Sequence, residues 1–209
     1  MSRWSGTEGS RTHVQKPNDG QEAMKLSVES LSIADIKLVR APRIADTRGY
    51  FAETYVRDDF RAAGITQDFL QDNESTSKLP GTIRGLHFQA RPFAQTKLVR
   101  VLRGRIFDVV VDLRRSSSSY GRHLAIELSA TAGEQLLVPA GFAHGFCTLE
   151  PDTTVFYKVD KVYSAGHDRG VYWADPALAI AWPVTPAQAI VSEKDGALPR
   201  LGDLPVYFE

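Results

Sequence analysis

The sequence has almost no cysteine, no long apolar run and no excess of charge of either sign. Cys147 is the only cysteine among 209 residues, so no disulfide can form within one chain. No segment approaches the ~20 consecutive apolar residues that a transmembrane helix needs, and the N-terminus lacks the apolar stretch of a secretory signal. These absences predict a soluble protein in a reducing cytoplasm.

The charges of the chain cancel. Lys and Arg together number 25, and so do Asp and Glu, which gives a formal net charge of zero. This balance argues against nucleic acid or an acidic membrane as a partner. A local cluster of cations remains compatible with it, so a small phosphate-bearing ligand is not excluded.

Composition divides the chain into two parts. Residues 1–24 are rich in Ser, Gly, Thr, Gln and Asn, with Trp4 as the one aromatic side chain, and Met24 is an alternative start. Such a segment buries too little surface to offset its ordering entropy, which predicts a disordered N-terminal extension. Residues 25–209 are predicted to form a single domain, because β-sandwiches and barrels commonly reach this size without splitting.

From Leu31 onward, short apolar runs alternate with turn residues. The runs are Ile36–Arg40, Tyr50–Tyr55, Lys97–Leu102, Ile106–Leu113, His123–Leu128, Gln135–Val138 and Thr153–Val159. Their Val, Ile, Phe and Tyr content and their spacing predict an all-β sandwich or barrel. One helix is predicted at Arg57–Ala63, with acidic residues in its first turn and Gly64 after its end. The proline-containing tail from Trp182 is predicted to wrap around the barrel.

Two histidines stand at spacings found in cupin barrels. The pattern is Gly81-x5-His87, followed by Gly133-x5-Pro-x-Gly-x2-His144. In metal-binding cupins the first motif continues with a second histidine and a glutamate, but Gln89 occupies the histidine position and the glutamate is missing. Two imidazoles are too few for a typical metal site, so the sequence predicts chemistry without a metal.

Eight motifs then follow one another in chain order. They are Asp46–Glu53, Phe69–Asn73, Thr82–Gln89, Gln95–Arg100, Phe107–Arg114, Pro139–Phe146, Phe156–Lys158 and Ser192–Asp195. Together they closely resemble the dTDP-4-dehydrorhamnose 3,5-epimerase family, over about residues 32–203. The resemblance implies an all-β, cupin-type jelly-roll barrel with minor helix. It also implies an enzyme, without a cofactor, that converts dTDP-4-keto-6-deoxy-D-glucose to dTDP-4-keto-L-rhamnose.

The chemistry of this conversion sets the catalytic groups. Epimerising a carbon beside a ketone needs a base, a cation or donor at the developing oxyanion, and an acid on the opposite face. Histidine suits the role of base because its ordinary pKa lies near 6.5. The resemblance implies that His87 is this base with Asp195 as its carboxylate partner. It further implies Lys97 at the keto oxygen and Tyr157 as the acid.

The resemblance implies further site residues. Arg84 would hold the diphosphate or the sugar, as guanidinium groups grip phosphates well, and Asp108 would support His144. The substrate-binding residues implied in all are Arg48, Phe51, Glu53, Gln71, Asn73, Arg84, His144, Tyr163, Trp173 and Lys194. Contacts from the segment Arg48–Glu53 would reach a neighbouring subunit, which implies a homodimer.

Arg84 and His87 pose a geometric problem within one strand. Side chains three residues apart face opposite sides of a regular strand. Gly85 lies between them and permits a bulge or twist, which predicts that both side chains reach one pocket.

Three alternatives to the double epimerase remain open. A related epimerase that acts on carbon 3 or carbon 5 alone would share the same catalytic residues. A metal-dependent cupin such as an oxygenase is disfavoured by the missing ligands. A non-catalytic sugar-binding cupin would need no proton donor opposite a base.

Overall fold

The computed structural model of the protein describes residues 26–209, so the expectation for residues 1–24 lies outside the described part of the chain. The strands of that part are β1 (Ser27–Ser30), β2 (Lys37–Arg40), β3 (Ile44–Asp46), β4 (Gly49–Phe51), β5 (Gln71–Ser77), β6 (Ile83–Gln89), β7 (Lys97–Arg103), β8 (Arg105–Asp112), β9 (His123–Ser129), β10 (Gln135–Val138), β11 (Phe142–Thr148), β12 (Thr153–Val159) and β13 (Asp168–Gly170). The α-helices are α1 (Arg57–Ala62) and α2 (Glu193–Gly196), and 3-10 turns occupy Ala165–His167, Pro176–Leu178 and Leu201–Asp203.

The strands form two antiparallel sheets and a separate hairpin. The six-stranded sheet has the order β1-β2-β10-β7-β12-β5, and the five-stranded sheet has the order β13-β6-β11-β8-β9. The hairpin consists of β3 and β4. Side chains of both sheets meet in one buried cluster, in which Val99 and Leu136 of the first sheet pack with Val110 and Phe142 of the second. The predicted all-β, cupin-type jelly roll with minor helix is confirmed.

The strand β8 is buried on both faces. Val110 points into the cluster between the sheets, whereas Val109 and Val111 belong to a second cluster on the outer side of the five-stranded sheet. All three valines are fully buried, and each contributes about 1.5–3 kcal/mol through the loss of its apolar surface from water. A strand with apolar residues at every position therefore sits where both faces are covered.

The C-terminal tail provides the cover for that outer face. Trp182, Leu201, Leu204 and Tyr207 pack partly buried against the second cluster, and Phe208 is buried within it. The prediction that the tail wraps around the barrel is confirmed. Its course also brings α2 into contact with β6.

The helix α1 covers part of the six-stranded sheet. It begins after Val56, carries Asp58 and Asp59 in its first turn, and is followed by Gly64 with a φ of 84°. Phe60 is buried against Val39 and other apolar residues of the sheet. The predicted helix is confirmed within one residue at its C-terminal end.

Two strands differ from the expectation. The predicted strand Tyr50–Tyr55 ends already at Phe51, because β4 pairs only with the three residues of β3 and both aromatic side chains remain more than half exposed. The strand β5 has the sequence QDNESTS and contains no apolar residue, so no hydrophobic pattern predicted it.

None of the helices formed by residues 26–209 has the length and apolar character required to cross a membrane.

Candidate functional site

A cavity of about 250 Å³ lies between the two sheets. Five strands and the segment around α2 line it with mostly polar and charged side chains. The lining residues are Ser75, Arg84, His87, Lys97, His144, Phe146, Tyr157, Ser192, Lys194 and Asp195. The structure thus brings together all four residues predicted to be catalytic.

A bulge in β6 turns Arg84 and His87 toward this cavity. The pairing of β6 with β11 shifts register between His144, opposite His87, and Phe146, opposite Arg84, so that three steps along β6 match two along β11. Gly85 has a φ of 129°, and a Cβ added to it would lie 2.5 Å from the Cα of Gly145. Only glycine fits this close approach, and the predicted bulge is confirmed.

His87 forms a short hydrogen bond with a carboxylate from the tail. Its Nε2 lies 2.7 Å from Oδ1 of Asp195, and the backbone N–H of Gly85 donates to the other oxygen, Oδ2, at 3.1 Å. Burial alone would raise the pKa of Asp195, but the hydrogen bonds from His87 and Gly85 outweigh burial and hold this pKa below its ordinary value. Because the ionised carboxylate accepts Nε2–H, the lone pair of Nδ1 is the free basic atom of His87.

The helix α2 holds this carboxylate in place. The side chain of Ser192 caps the helix by accepting from the backbone N–H of Asp195 at 3.1 Å. Asp195 is only 5% exposed, whereas the side chain of His87 is 31% exposed. The imidazole of His87 is therefore partly accessible from the cavity while its carboxylate partner is shielded.

Lys97 lies on β7, on the sheet facing His87. Lys97 is 8% exposed, and its Nζ donates to the backbone carbonyl oxygen of His87 at 3.2 Å. Burial lowers the pKa of Lys97 to about 8, although the negative charges of Asp168 and Asp108 oppose the shift. A buried ammonium whose pKa is lowered toward neutral pH is suited to pairing with an anion that develops beside it.

Tyr157 comes from the wall opposite His87. It stands on β12 of the six-stranded sheet, whereas His87 stands on β6 of the five-stranded sheet. Burial raises the pKa of the Tyr157 phenol, which the charge of Arg84 lowers in part. The phenol thus keeps its proton at neutral pH and can donate it into the cavity from the other side.

A second histidine–aspartate pair forms the cavity floor. Nε2 of His144 lies 3.0 Å from both carboxylate oxygens of Asp108. The side chain of His144 is 7% exposed and that of Asp108 is fully buried. His144 is the register partner of His87, so the two imidazoles belong to adjacent strands.

Two cations lie at the edge of the cavity. The guanidinium of Arg84 donates to Oγ of Ser77 and to the backbone carbonyl of Thr76, both at 3.1 Å. Lys194 pairs with Asp168, and this hydrogen bond raises the pKa of Lys194. The guanidinium and the ammonium provide the cationic groups that an anionic ligand requires.

Three predicted binding residues lie on or after the β3–β4 hairpin, away from this cavity. Arg48 is bonded to Asp46, and both line a separate surface pocket with Phe51. Phe51 is 63% exposed, and Glu53 follows the hairpin in an irregular segment. Within this chain, the hairpin residues do not meet the catalytic ones.

Three others lie beside the cavity without lining it. Gln71 donates to Asn73 at 2.7 Å and accepts from the backbone N–H of Tyr163 at 2.9 Å. The hydroxyl of Tyr163 in turn donates to Asp168 at 3.3 Å. These residues form a polar chain that leads from β5 to the ion pair of Lys194.

Trp173 is placed on the outer side of the five-stranded sheet. It is 5% exposed and packs with Ile83 and Cys147, and its carbonyl accepts from the indole of Trp182 at 2.8 Å. The structure does not bring it to the cavity, because its neighbours on β6 and β11 face away from His87.

Three cavity residues were missed by sequence reasoning: Ser75, Phe146 and Ser192. Ser75 had a signal, since it stands two residues after Asn73 and alternate residues of a strand share a face. Phe146 and Ser192 lie within motifs that had been recognised, and only the three-dimensional arrangement separates their side chains from those of their neighbours.

No group of three or more His, Cys, Asp or Glu side chains converges into a metal site anywhere in residues 26–209. The expectation of chemistry without a metal stays a prediction.

Comparisons with known proteins agree with this site. The family model described as dTDP-4-dehydrorhamnose 3,5-epimerase matches residues 30–203. A curated protein of that name from Sinorhizobium fredii is 51% identical over 190 residues, which cover 91% of this chain and 97% of that protein.

Solved structures give the same result. A dTDP-4-dehydrorhamnose 3,5-epimerase from Bacillus anthracis, with TDP and PPi bound, is 51% identical, with a TM-score of 0.81 over 84% of this chain and 99% of that one. A dTDP-6-deoxy-D-glucose-3,5-epimerase from Legionella pneumophila, in complex with dTDP-4-keto-L-rhamnose, is 35% identical, with a TM-score of 0.82 over 86% and 95% of the two chains. On its sequence, its fold and the residues that meet in its cavity, the chain belongs to the dTDP-4-dehydrorhamnose 3,5-epimerase family.

Proposed function

We propose that the protein converts dTDP-4-keto-6-deoxy-D-glucose to dTDP-4-keto-L-rhamnose, and that His87, Asp195, Lys97 and Tyr157 carry the reaction. Carbons 3 and 5 flank the 4-keto group, so their protons are acidic once the enolate is stabilised. Removal of each proton from one face and its return on the other inverts both centres.

One observation carries this proposal. A histidine held by a buried carboxylate at 2.7 Å shares a cavity with a buried lysine and with a phenol on the opposing wall. His87 is the base through Nδ1, and Asp195 orients the ring and stabilises the imidazolium that forms. Lys97 stabilises the enolate oxygen, and Tyr157 returns a proton on the far face.

The cations at the cavity edge serve the nucleotide diphosphate. Arg84 is anchored by Ser77 and the Thr76 carbonyl, which fixes its guanidinium for bidentate contact with phosphate oxygens. Lys194 adds a second positive charge beside it. His144, backed by Asp108, contacts the sugar from the cavity floor, and the polar residues Gln71, Asn73 and Tyr163 extend the site toward the nucleotide.

The hairpin supports a homodimer. Ile44, Tyr50 and Phe51 are all more than half exposed on this short two-stranded unit, which pairs with no other strand of the described chain. An exposed apolar hairpin of this kind is stabilised by a partner surface. In the proposed dimer, Arg48, Phe51 and Glu53 contact the nucleotide bound by the neighbouring subunit. Trp173 does not contact the substrate in this proposal and supports the site by packing on the outer side of the five-stranded sheet. Size-exclusion chromatography with light scattering measures the assembly.

The cytoplasm is the proposed compartment. Cys147 is fully buried, and burial raises the pKa of its thiol to about 11, which suits a thiol that stays reduced. Fractionation of the source cells checks this assignment.

The reaction itself is tested by incubation with dTDP-4-keto-6-deoxy-D-glucose in heavy water. NMR should show deuterium at carbons 3 and 5 and accumulation of dTDP-4-keto-L-rhamnose. Deuterium and inversion at a single carbon would support the single-carbon epimerase instead. An absence of exchange at either carbon would overturn the proposal.

A further inference from the structure

Ser75 has an unusual place among the polar residues of the cavity. The side chains of β5 alternate, so Gln71, Asn73, Ser75 and Ser77 face inward while the residues between them are exposed. Gln71 and Asn73 are hydrogen-bonded to each other, and Ser77 accepts from Arg84. Oγ of Ser75 is shielded from solvent and has no hydrogen-bond partner among the atoms of residues 26–209.

A shielded hydroxyl without a partner is costly. Buried polar groups in folded proteins are nearly always hydrogen-bonded, and one left unpaired destabilises the fold. The described chain contains two other such atoms, on Gln67 and Glu134, but neither residue lines the cavity. Ser75 therefore combines an unsatisfied hydroxyl with a position on the wall of the proposed active site.

The register of the strands shows what Ser75 faces. Asn73 pairs with Tyr157 on β12, and Ser75 pairs with Val155, one inward position further along. The next inward residue, Ser77, holds the guanidinium of Arg84. Ser75 thus stands between the proposed acid and the proposed phosphate-binding group, at the place where a hexose linked to a diphosphate would lie.

We propose that Ser75 is a hexose-binding residue whose hydroxyl, turned into the cavity by rotation about the Cα–Cβ bond, forms a hydrogen bond with a hydroxyl of the hexose. This rests on the proposed function, since the hexose is that of the dTDP-4-keto-6-deoxy substrate. The bond is made before and during the reaction, so it contributes to binding more than to the chemical step.

The test compares Ser75→Ala with the wild-type enzyme in three measurements. KM for dTDP-4-keto-6-deoxy-D-glucose should rise about three- to tenfold, the range of one neutral hydrogen bond, with kcat changed by less than about twofold. The inhibition constant of dTDP, which has no hexose, should stay at its wild-type value. The melting temperature of the free protein should stay the same or rise, because the variant removes a buried hydroxyl that the protein does not satisfy.

Thr154→Val is the matched control. Its hydroxyl lies on the outer face of the same pair of strands, 3.0 Å from that of Thr76. Its removal should leave KM and the inhibition by dTDP unchanged while stability falls slightly.

The outcomes separate the two proposals. A wild-type enzyme that fails to turn over this substrate would overturn the proposed function. With an active wild type, an unchanged KM in Ser75→Ala would overturn the inference alone. If the inhibition constant of dTDP rose together with KM, the hydroxyl would bind the nucleotide, and the inference would also be overturned. A clear fall in the melting temperature of Ser75→Ala would show that Oγ stabilises the fold, which would overturn the inference as well.

Discussion

The protein contains two histidine–aspartate pairs on adjacent strands, and their surroundings differ. His87 is 31% exposed at the side chain and is held by Asp195, which the tail brings from far along the chain. His144 is 7% exposed and is held by Asp108 of the neighbouring strand, with both carboxylate oxygens at 3.0 Å. Both histidines line the cavity, but the first pair is partly exposed and the second is almost fully buried.

The comparison leads us to expect a reactive role for the first pair and a largely structural role for the second. A base must reach its substrate, and the partial exposure of His87 meets this need. His144 is enclosed on nearly all sides, so a change at this residue affects packing before it affects chemistry. The geometry of a histidine–aspartate pair thus does not define its role, and we propose that the exposed fraction of the imidazole does.

The largest expected effect comes from His87→Asn. Without the base no enolate forms, so deuterium uptake from heavy water should fall by about a hundredfold or more. The melting temperature should change less than in His144→Asn, because His87 is partly exposed and the Gly85 N–H still satisfies Asp195. Wild-type exchange in this variant would place the base elsewhere and remove the distinction between the two pairs.

Tyr157→Phe sharpens the comparison by removing the acid opposite His87. The base and Lys97 remain, so the enolate should still form and be reprotonated from its original side. Deuterium exchange should therefore persist in part, while epimerised product falls much further. Equal loss of both, measured by NMR on the same sample, would assign the hydroxyl to binding or enolisation. If neither changed, Tyr157 would be a packing residue.

The sequence predicted the reactive pair better than its setting. The apolar strands, the helix α1 and the turn of β6 at Gly85 followed from periodicity and glycine chemistry. The strand β5 did not, because its inward side chains are all polar, at or beside the cavity, and so carry no hydrophobic signal. His87 and Asp195 are 108 residues apart in the chain, and their contact depends on how the tail folds over the sheet. The spacing of the two residues could not predict this pairing, whereas the resemblance to the family implied it.

The alkaline limb of the pH–rate profile should report Lys97. The ammonium is the proposed active form, and its pKa in the folded protein is about 8. Above that pH, kcat/KM should fall by up to about tenfold per pH unit as the neutral amine accumulates. Lys97→Arg should be slower but should lack this limb, because a guanidinium does not titrate there. A limb that survived the substitution would belong to another group.

Stability gives an independent check on Lys97. Its pKa is lowered from 10.5 to about 8 on folding, so the unfolded chain binds more protons between these two values. The cost of burying the charged amine is complete below pH 8 and is relieved as the pH rises toward 10.5. The melting temperature of Lys97→Met should therefore exceed that of the wild type most at pH 7.5, and the gap should narrow by pH 10.5. If unfolding caused the alkaline loss of activity, the difference in melting temperature between Lys97→Met and the wild type would not narrow.

Of the substitutions in the two histidines, Lys97 and Tyr157, His144→Asn should affect catalysis least, and it tests the comparison from the structural side. The shorter amide cannot reach both oxygens of Asp108, which is fully buried, so a carboxylate is left without its partner. Loss of such a contact costs about 1–3 kcal/mol, which corresponds to a melting temperature lower by about 2–12 °C for a chain of this size. KM should rise only a few-fold, since the imidazole is proposed to contact only the sugar. Deuterium exchange at saturating substrate should stay within about tenfold of the wild type. The matched measurements are thermal unfolding and exchange on His144→Asn and His87→Asn. If His144→Asn lost exchange as completely as His87→Asn while keeping its stability, the buried pair would take part in proton transfer, and exposure would no longer distinguish the two.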